Sequence, residues 1–142
     1  MGAIKRWEGQ SVEPSNAYSL LGEFQPLATM RRFVILHHQS PTGEHWDVML
    51  EMDDDLMTGA LMTWSIPPQC PSGTSFVCPA TALPMHRNHY LDYEGEITGN
   101  RGTVTRIDVG VYEQLSPETF ALHGKNFAGI LTLENNMMRF DG

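Results

Sequence analysis

The sequence predicts a mainly β protein: a compact antiparallel β-barrel with short flanking helical turns and an irregular N-terminal arm. Many short runs of β-branched and aromatic residues follow one another, and glycine and proline separate them. No segment shows the 3.6-residue apolar periodicity of a long amphipathic helix. With 142 residues, of which 41% are hydrophobic, the chain is long enough for one domain with its own core.

Glycine, proline, serine and asparagine with weak periodicity predict that residues 1–30 form the arm, with a short helical turn at residues 17–21. Residues 31–142 are predicted to form the barrel domain. Its expected strands are residues 33–38, 45–52, 91–97, 102–108, 111–113, 120–123 and 127–133, and residues 56–66 are expected to contain one more, ending near Trp64. A hairpin loop is expected at residues 39–44, and a connection rich in proline and glycine at residues 67–84.

Charge and composition exclude several classes of protein. The formal net charge is −8, from nine Lys and Arg against seventeen Asp and Glu. Nonspecific nucleic-acid binders are usually basic, so any nucleic-acid contact here should be local. The absence of a long apolar run and of a signal-like N-terminus predicts a cytoplasmic protein without membrane contact. Cys70 and Cys78 lack the second pair that a zinc site would need, and we interpret them as reduced thiols in preference to a disulfide.

Two histidines and an aspartate on the first predicted hairpin form a candidate metal site. An apolar strand carries His38 into the turn, and an alternating strand carries His45 and Asp47 on one face of the returning segment. Two imidazoles and a carboxylate suit Mn²⁺, Zn²⁺ or Fe²⁺ about equally. The alternative is three polar residues on a solvated sheet face. A register shift of one residue would exchange His38 with His37.

Further candidates lie later in the chain. His86 stands beside Arg87 in a cationic patch, where it could donate to a phosphate oxygen or be an ordinary loop histidine. Arg101 lies in a glycine-flanked turn that could approach a phosphate or simply face solvent. Glu94 could orient a ligand histidine or be a charge at a strand end.

Three segments, taken in order, resemble the 3′-phosphoesterase domain of bacterial DNA ligase D. Residues 38–51 show a strand ending in His, a short loop, His-aromatic-Asp and an apolar run ending in Glu. Residues 86–95 match a family segment with a His, a Tyr four residues on, and an aromatic-Glu-Gly ending. Residues 102–113 look like the family's Gly-x-Val and Asp-x-Gly-x-aromatic-Glu run. The resemblance extends over about residues 31–134.

This resemblance implies a compact β-barrel with a manganese-dependent site that trims 3′ ends in DNA end repair. Family members remove a terminal ribonucleoside and then a 3′-phosphate. Carried over by position, the metal ligands would be His38, His45 and Asp47. His86 would contact the scissile phosphate, and Tyr90 would lie in the same pocket. The implied partners are DNA primer-template ends and the ligase or polymerase of end joining.

The chain departs from the family at four positions that are charged there: Met49, Pro68, Cys78 and Pro84. The arginines that could replace the missing cations are Arg87, Arg101 and Arg106. The resemblance therefore implies a divergent, stand-alone member of the family.

Two other functions remain open. The missing cations motivate a non-catalytic, metal-containing module that binds DNA ends or repair proteins. The acidic balance favours a metal-dependent hydrolase of a small phosphate ester.

Overall fold

A computed structural model describes residues 30–52, 60–69 and 74–142. Within them the chain is almost entirely antiparallel β-sheet, which confirms the predicted mainly β class. Arg31–Gly142 forms one compact unit. The predicted arm and its helical turn fall in a part of the chain outside the described residues, so the division into arm and domain stays a prediction. No helix in the described segments is long and apolar enough to cross a membrane.

The strands, in chain order, are β1 (Arg31–Ser40), β2 (Gly43–Glu51), β3 (Ala60–Ile66), β4 (Ser75–Pro79), β5 (Thr81–Arg87), β6 (Gly95–Glu96), β7 (Thr103–Gln114), β8 (Thr119–Gly124), β9 (Ala128–Glu134) and β10 (Met137–Asp141). A single-turn 3-10 helix, Asn88–Leu91, connects β5 towards β6. It lies mid-chain, and the flanking helical turns that we predicted are not seen in the described residues.

The strands form one sheet in the order β4-β10-β9-β8-β7-β1-β2-β3-β5. The short strand β6 lies outside this order and pairs with β7. The two end strands, β4 and β5, are joined by Ala80 alone, so the sheet curls until its ends meet. The Ala80 N–H donates to the Asn136 carbonyl at 2.9 Å. No ladder joins β4 to β5 in this path, so the sheet is not closed by hydrogen bonds. The predicted barrel is therefore correct only in a loose sense.

Several strand predictions were wrong for identifiable reasons. The predicted connection at 67–84 contains β4 and most of β5, because prolines are tolerated in strands at a sheet edge. The predicted strand at 91–97 is instead the end of the 3-10 helix followed by the two-residue β6. β10 was not predicted. It follows a two-residue turn in which Asn135 and Asn136 have positive φ of 55° and 60°, as a type I′ hairpin requires.

The sheet buries apolar side chains on both of its faces. We call the inner face the one that carries the larger cluster, which includes Phe33, Ile35, Val48, Leu50, Tyr112, Phe120, Leu122, Leu131, Met138 and Phe140. The outer face carries a smaller cluster of Val34, Leu36, Met49, Leu61, Leu91 and Val104. Leu91 and the partly buried Tyr90 come from the 3-10 helix, which therefore packs on the outer face.

Candidate metal centre

The β1–β2 hairpin brings the three predicted ligands together. His38 stands directly opposite His45, and Asp47 lies two residues further along β2, on the same outer face. The expected loop at residues 39–44 is much shorter, because the ladder continues to the pair Ser40 and Gly43. The longer ladder fixes the register, and His37 accordingly points to the inner face.

The ligand atoms of this triad converge on a small volume. One ligand atom from each of His38, His45 and Asp47 lies within 4.8 Å of the others. His45 Nε2 is 3.0 Å from Asp47 Oδ1, and His38 Nδ1 is 3.9 Å from Asp47 Oδ2. The two imidazole rings meet edge to face with centroids 4.9 Å apart.

Asp47 is buried at the centre of the triad, with 3% of the residue exposed. Its Oδ1 has no hydrogen-bond partner among the described residues, although His45 Nε2 is only 3.0 Å away. Burial raises the pKa of Asp47, and the nearby imidazoles of His45, His86 and His38 offset only part of this effect. A buried carboxylate oxygen that accepts no well-formed hydrogen bond carries a desolvation cost.

These observations fit a divalent metal ion. The donor set is two imidazole nitrogens and a carboxylate, which transition metals accept. Two neighbouring ligands at about 2.1 Å from an ion lie about 3.0–3.4 Å apart, a range that includes the His45–Asp47 separation. An ion would also supply the missing partner of Asp47 Oδ1.

The turn after β6 orients His38. The Nε2–H of His38 donates to the backbone carbonyl of Arg101 at 2.8 Å, which leaves Nδ1 as the free lone pair. Gly102 makes this approach possible, because its φ is +98° and a Cβ there would lie 1.8 Å from the Gln39 carbonyl oxygen. The glycine therefore sets the position of a carbonyl that selects the His38 tautomer.

His86 lies at the end of β5, on the same face of the sheet as the triad. It stands opposite Leu61 of β3, and its imidazole is close enough to lower the pKa of Asp47. Its Nδ1–H donates to the Pro84 carbonyl at 2.9 Å, so Nε2 is the nitrogen left for a ligand. The Tyr90 ring lies edge-on to it at a centroid distance of 5.9 Å.

The other charged candidates occupy different positions. Arg87, exposed, follows His86 on β5 opposite Ala60, and so points away from the triad face. The Arg101 guanidinium is held in its own turn, where Nε donates to the Thr98 carbonyl at 2.7 Å. Glu94 Oε2 accepts the backbone N–H of Arg106 at 2.5 Å, and no hydrogen bond from Glu94 to a histidine is found within the described segments.

Met49 shows what the alternating pattern missed. The pattern placed Met49 with His45 and Asp47 on a more polar face, yet it is 1% exposed in the outer-face cluster. The burial of Met49 could have been inferred from residues 90–93, whose apolar side chains belong to the same outer-face cluster: Tyr90, Leu91 and Tyr93. The triad therefore lies at the margin of a second core.

Comparison with known protein families gives one match. A family model described as the DNA Ligase D 3′-phosphoesterase domain matches residues 36–139, which is most of the chain and includes all three triad residues. No curated protein matches the chain at a significant level.

Proposed function

The chain belongs to the DNA ligase D 3′-phosphoesterase domain family, and we propose that it is a divalent-metal-dependent phosphoesterase acting on nucleic-acid 3′ ends. The proposed reaction is the removal of a 3′-phosphate or a 3′-ribonucleoside during DNA end repair. The observation that carries the metal dependence is the buried Asp47 Oδ1, which lies beside two converging imidazoles and has no hydrogen-bond partner in the described part of the chain.

The triad would hold the ion through one nitrogen each of His38 and His45 and the Asp47 carboxylate. When bound, such an ion polarises a phosphoryl oxygen and lowers the pKa of a water molecule. Manganese is the ion that the family resemblance favours. The ligand types themselves accept Zn²⁺ as well.

His86 is the proposed donor to the scissile phosphate. Its Nδ1–H is fixed on the Pro84 carbonyl, so a protonated imidazole presents Nε2–H to an oxygen of the phosphate. Charge that develops on that oxygen during attack would be stabilised by this donor. The Tyr90 ring lies edge-on to the His86 imidazole, with centroids 5.9 Å apart. Arg87 points away from the triad face and the Arg101 guanidinium is hydrogen-bonded within its own turn, so neither is assigned a phosphate contact; the proposed role of Arg101 is to position His38 through its backbone carbonyl.

The proposal predicts that the purified chain with Mn²⁺ releases phosphate from a 3′-phosphorylated DNA primer-template. His45→Ala should lower the rate more than about a hundredfold, because loss of an outer partner of a ligand alone costs about 10–100-fold. His123→Ala, at an exposed position of β8, is the matched control and should retain activity. If wild type and His45→Ala are both folded and both inert, the catalytic proposal fails.

A second function is favoured by Met49. The family carries an arginine there, and here the side chain is buried among apolar residues. A non-catalytic module that binds 3′ ends or repair proteins would need the metal but not an arginine at position 49. Retardation of a 3′-phosphorylated primer that EDTA abolishes, without phosphate release, would identify this function.

A further inference from the structure

We propose that Arg106 binds the phosphodiester next to the terminal phosphate of the nucleic-acid strand held at the triad. This inference rests on the proposed function, because it takes a nucleic-acid 3′ end as the ligand. It adds a residue of β7 to a site that otherwise comes from β1, β2 and β5.

Strand register places Arg106 on the triad face. Arg106 stands opposite Leu36 on β1, and Leu36 stands opposite Asp47 on β2. Directly opposed residues of antiparallel strands share a face, and strands are about 4.8 Å apart, so Arg106 lies about 10 Å from Asp47 across the sheet. The buried Leu36 side chain lies between them. Because this is a backbone separation and Leu36 lies between, we place the phosphate bound by Arg106 beside the triad and not on it.

A β-bulge creates this placement. The β1–β7 register shifts between Ile35 and Leu36, which leaves Ile107 without a partner. Asp108, opposite Ile35, consequently faces inward, while Arg106 faces outward. In a regular strand the two residues would share one face.

The Arg106 guanidinium has no hydrogen-bond acceptor among the described residues. Its Nε is buried and has no hydrogen-bond partner among the described residues. Only two other side-chain atoms of the described residues are in this condition, Asp47 Oδ1 and Asn88 Oδ1. Asp47 shares the outer face with Arg106, and Asn88 begins the 3-10 helix that packs on that face. Buried polar groups without partners are rare in folded proteins, and each calls for an explanation.

The backbone of Arg106 is fixed, while its side chain has no partner in the segments that the structure describes. The N–H of Arg106 donates to Glu94 Oε2. Glu94 directly precedes β6, so its carboxylate takes the place of a backbone acceptor where the β6–β7 ladder stops. In the described part of the chain no ion pair within 4.0 Å is found for the guanidinium, whereas Arg32 pairs with Asp92 and Arg139 with Asp141. Arginine binds phosphate through parallel N–H donors, so a phosphodiester fits the unpaired group.

The test measures binding without turnover. The ligand is a fluorescent single-stranded oligonucleotide whose terminal phosphate is attached through carbon in place of the bridging oxygen, so that it is not hydrolysed. Fluorescence anisotropy with the full chain and Mn²⁺ gives the dissociation constant across a series of salt concentrations. The variants are Arg106→Met, Arg106→Lys and, as a matched control, Arg139→Met.

We expect Arg106→Met to weaken binding at least about tenfold, because hydrogen bonds to charged groups are among the strongest. Its slope of log K against log salt should be smaller than the wild-type slope by about 0.7, which corresponds to one phosphate contact on a single strand. Arg106→Lys should keep the slope with part of the affinity, and Arg139→Met should match wild type. Equal affinity and slope for Arg106→Met and Arg139→Met would overturn the inference.

A change in the ligand keeps the test decisive if Arg106→Met does not fold. Replacing the phosphodiester next to the end with a neutral methylphosphonate should weaken wild type by a similar factor and leave Arg106→Lys more weakly affected. No effect of this replacement on wild type contradicts the inference. A wild type that binds this ligand in an Arg106-dependent manner, but releases no phosphate from a hydrolysable 3′-phosphorylated primer-template, refutes the proposed catalysis alone. A wild type that binds no oligonucleotide refutes both.

Discussion

Asp47 and Asp108 are two carboxylates buried to the same degree, each 3% exposed, yet their surroundings are opposite. Asp108 faces inward from β7 and accepts three backbone N–H groups at 2.8–3.1 Å, from Lys125, Asn126 and Phe127. Asp47 faces outward from β2, and its Oδ1 accepts none among the described residues. The first carboxylate organises the turn between β8 and β9, and the second leaves an oxygen for a ligand.

This difference shows how a buried carboxylate that stabilises the fold can be distinguished from one that binds a ligand. A buried carboxylate that is fully hydrogen-bonded contributes to the fold, because its desolvation is compensated inside the protein. A buried carboxylate with an unpaired oxygen beside two imidazoles is compensated only when something binds. Arg106 extends this contrast to a cation on the same outer face as Asp47.

The largest expected effect is on stability at Asp108. Asp108→Ala removes three hydrogen bonds and should lower the free energy of unfolding by about 3 kcal/mol, about 1 for each bond. The melting temperature should fall by about 10 °C in a domain of this size. Asp141→Ala, at an exposed position of β10, is the matched control and should change it little. A loss for Asp108→Ala no greater than for Asp141→Ala would break the comparison.

A smaller effect is expected at Gly102. In Gly102→Ala the added Cβ would clash with the Gln39 carbonyl oxygen. The turn would have to shift, and the Arg101 carbonyl would move away from His38 Nε2. Metal affinity should fall about 10–100-fold, as for other lost partners of ligand histidines. Gly99→Ala is the control, because its φ is also positive but the added Cβ meets only the Arg101 side chain at 3.6 Å. Equal metal affinities for both variants, measured by titration, would exclude the orienting role.

The smallest effect, and of opposite sign to that at Asp108, is expected for Asp47 in the metal-free protein. Asp47→Asn removes a buried charge whose Oδ1 accepts no hydrogen bond from the residues that the structure describes. The free energy of unfolding in EDTA should rise by about 1 kcal/mol or stay unchanged. Thermal unfolding of wild type and variant at neutral pH measures this. A loss as large as that of Asp108→Ala would show that Asp47 is a structural residue.

The sequence predicted the triad better than it predicted the strands around it. His38, His45 and Asp47 were identifiable because β2 alternates strictly and the turn at Pro41 and Thr42 marks its start. β10 could have been found from the Asn135-Asn136 pair, which suits a type I′ turn. β5 was hidden by Pro84, which only an edge strand tolerates.

Other features of the site are beyond sequence reasoning. The donor partner of His38 is a backbone carbonyl, and any residue at position 101 would supply one. The outward position of Arg106 depends on a bulge at Ile107 that no residue type there announces. The unpaired Asp47 Oδ1 is a consequence of three-dimensional packing.

Titration of Mn²⁺ into the full chain, followed calorimetrically, tests the central claim most directly. The account predicts that wild type and a folded Asp108→Asn bind one Mn²⁺ per chain, whereas Asp47→Asn binds it at least about a hundredfold more weakly. Asparagine preserves the shape of both sites, so the comparison isolates the carboxylate charge. Undiminished binding by Asp47→Asn, or no binding by wild type, would contradict the account.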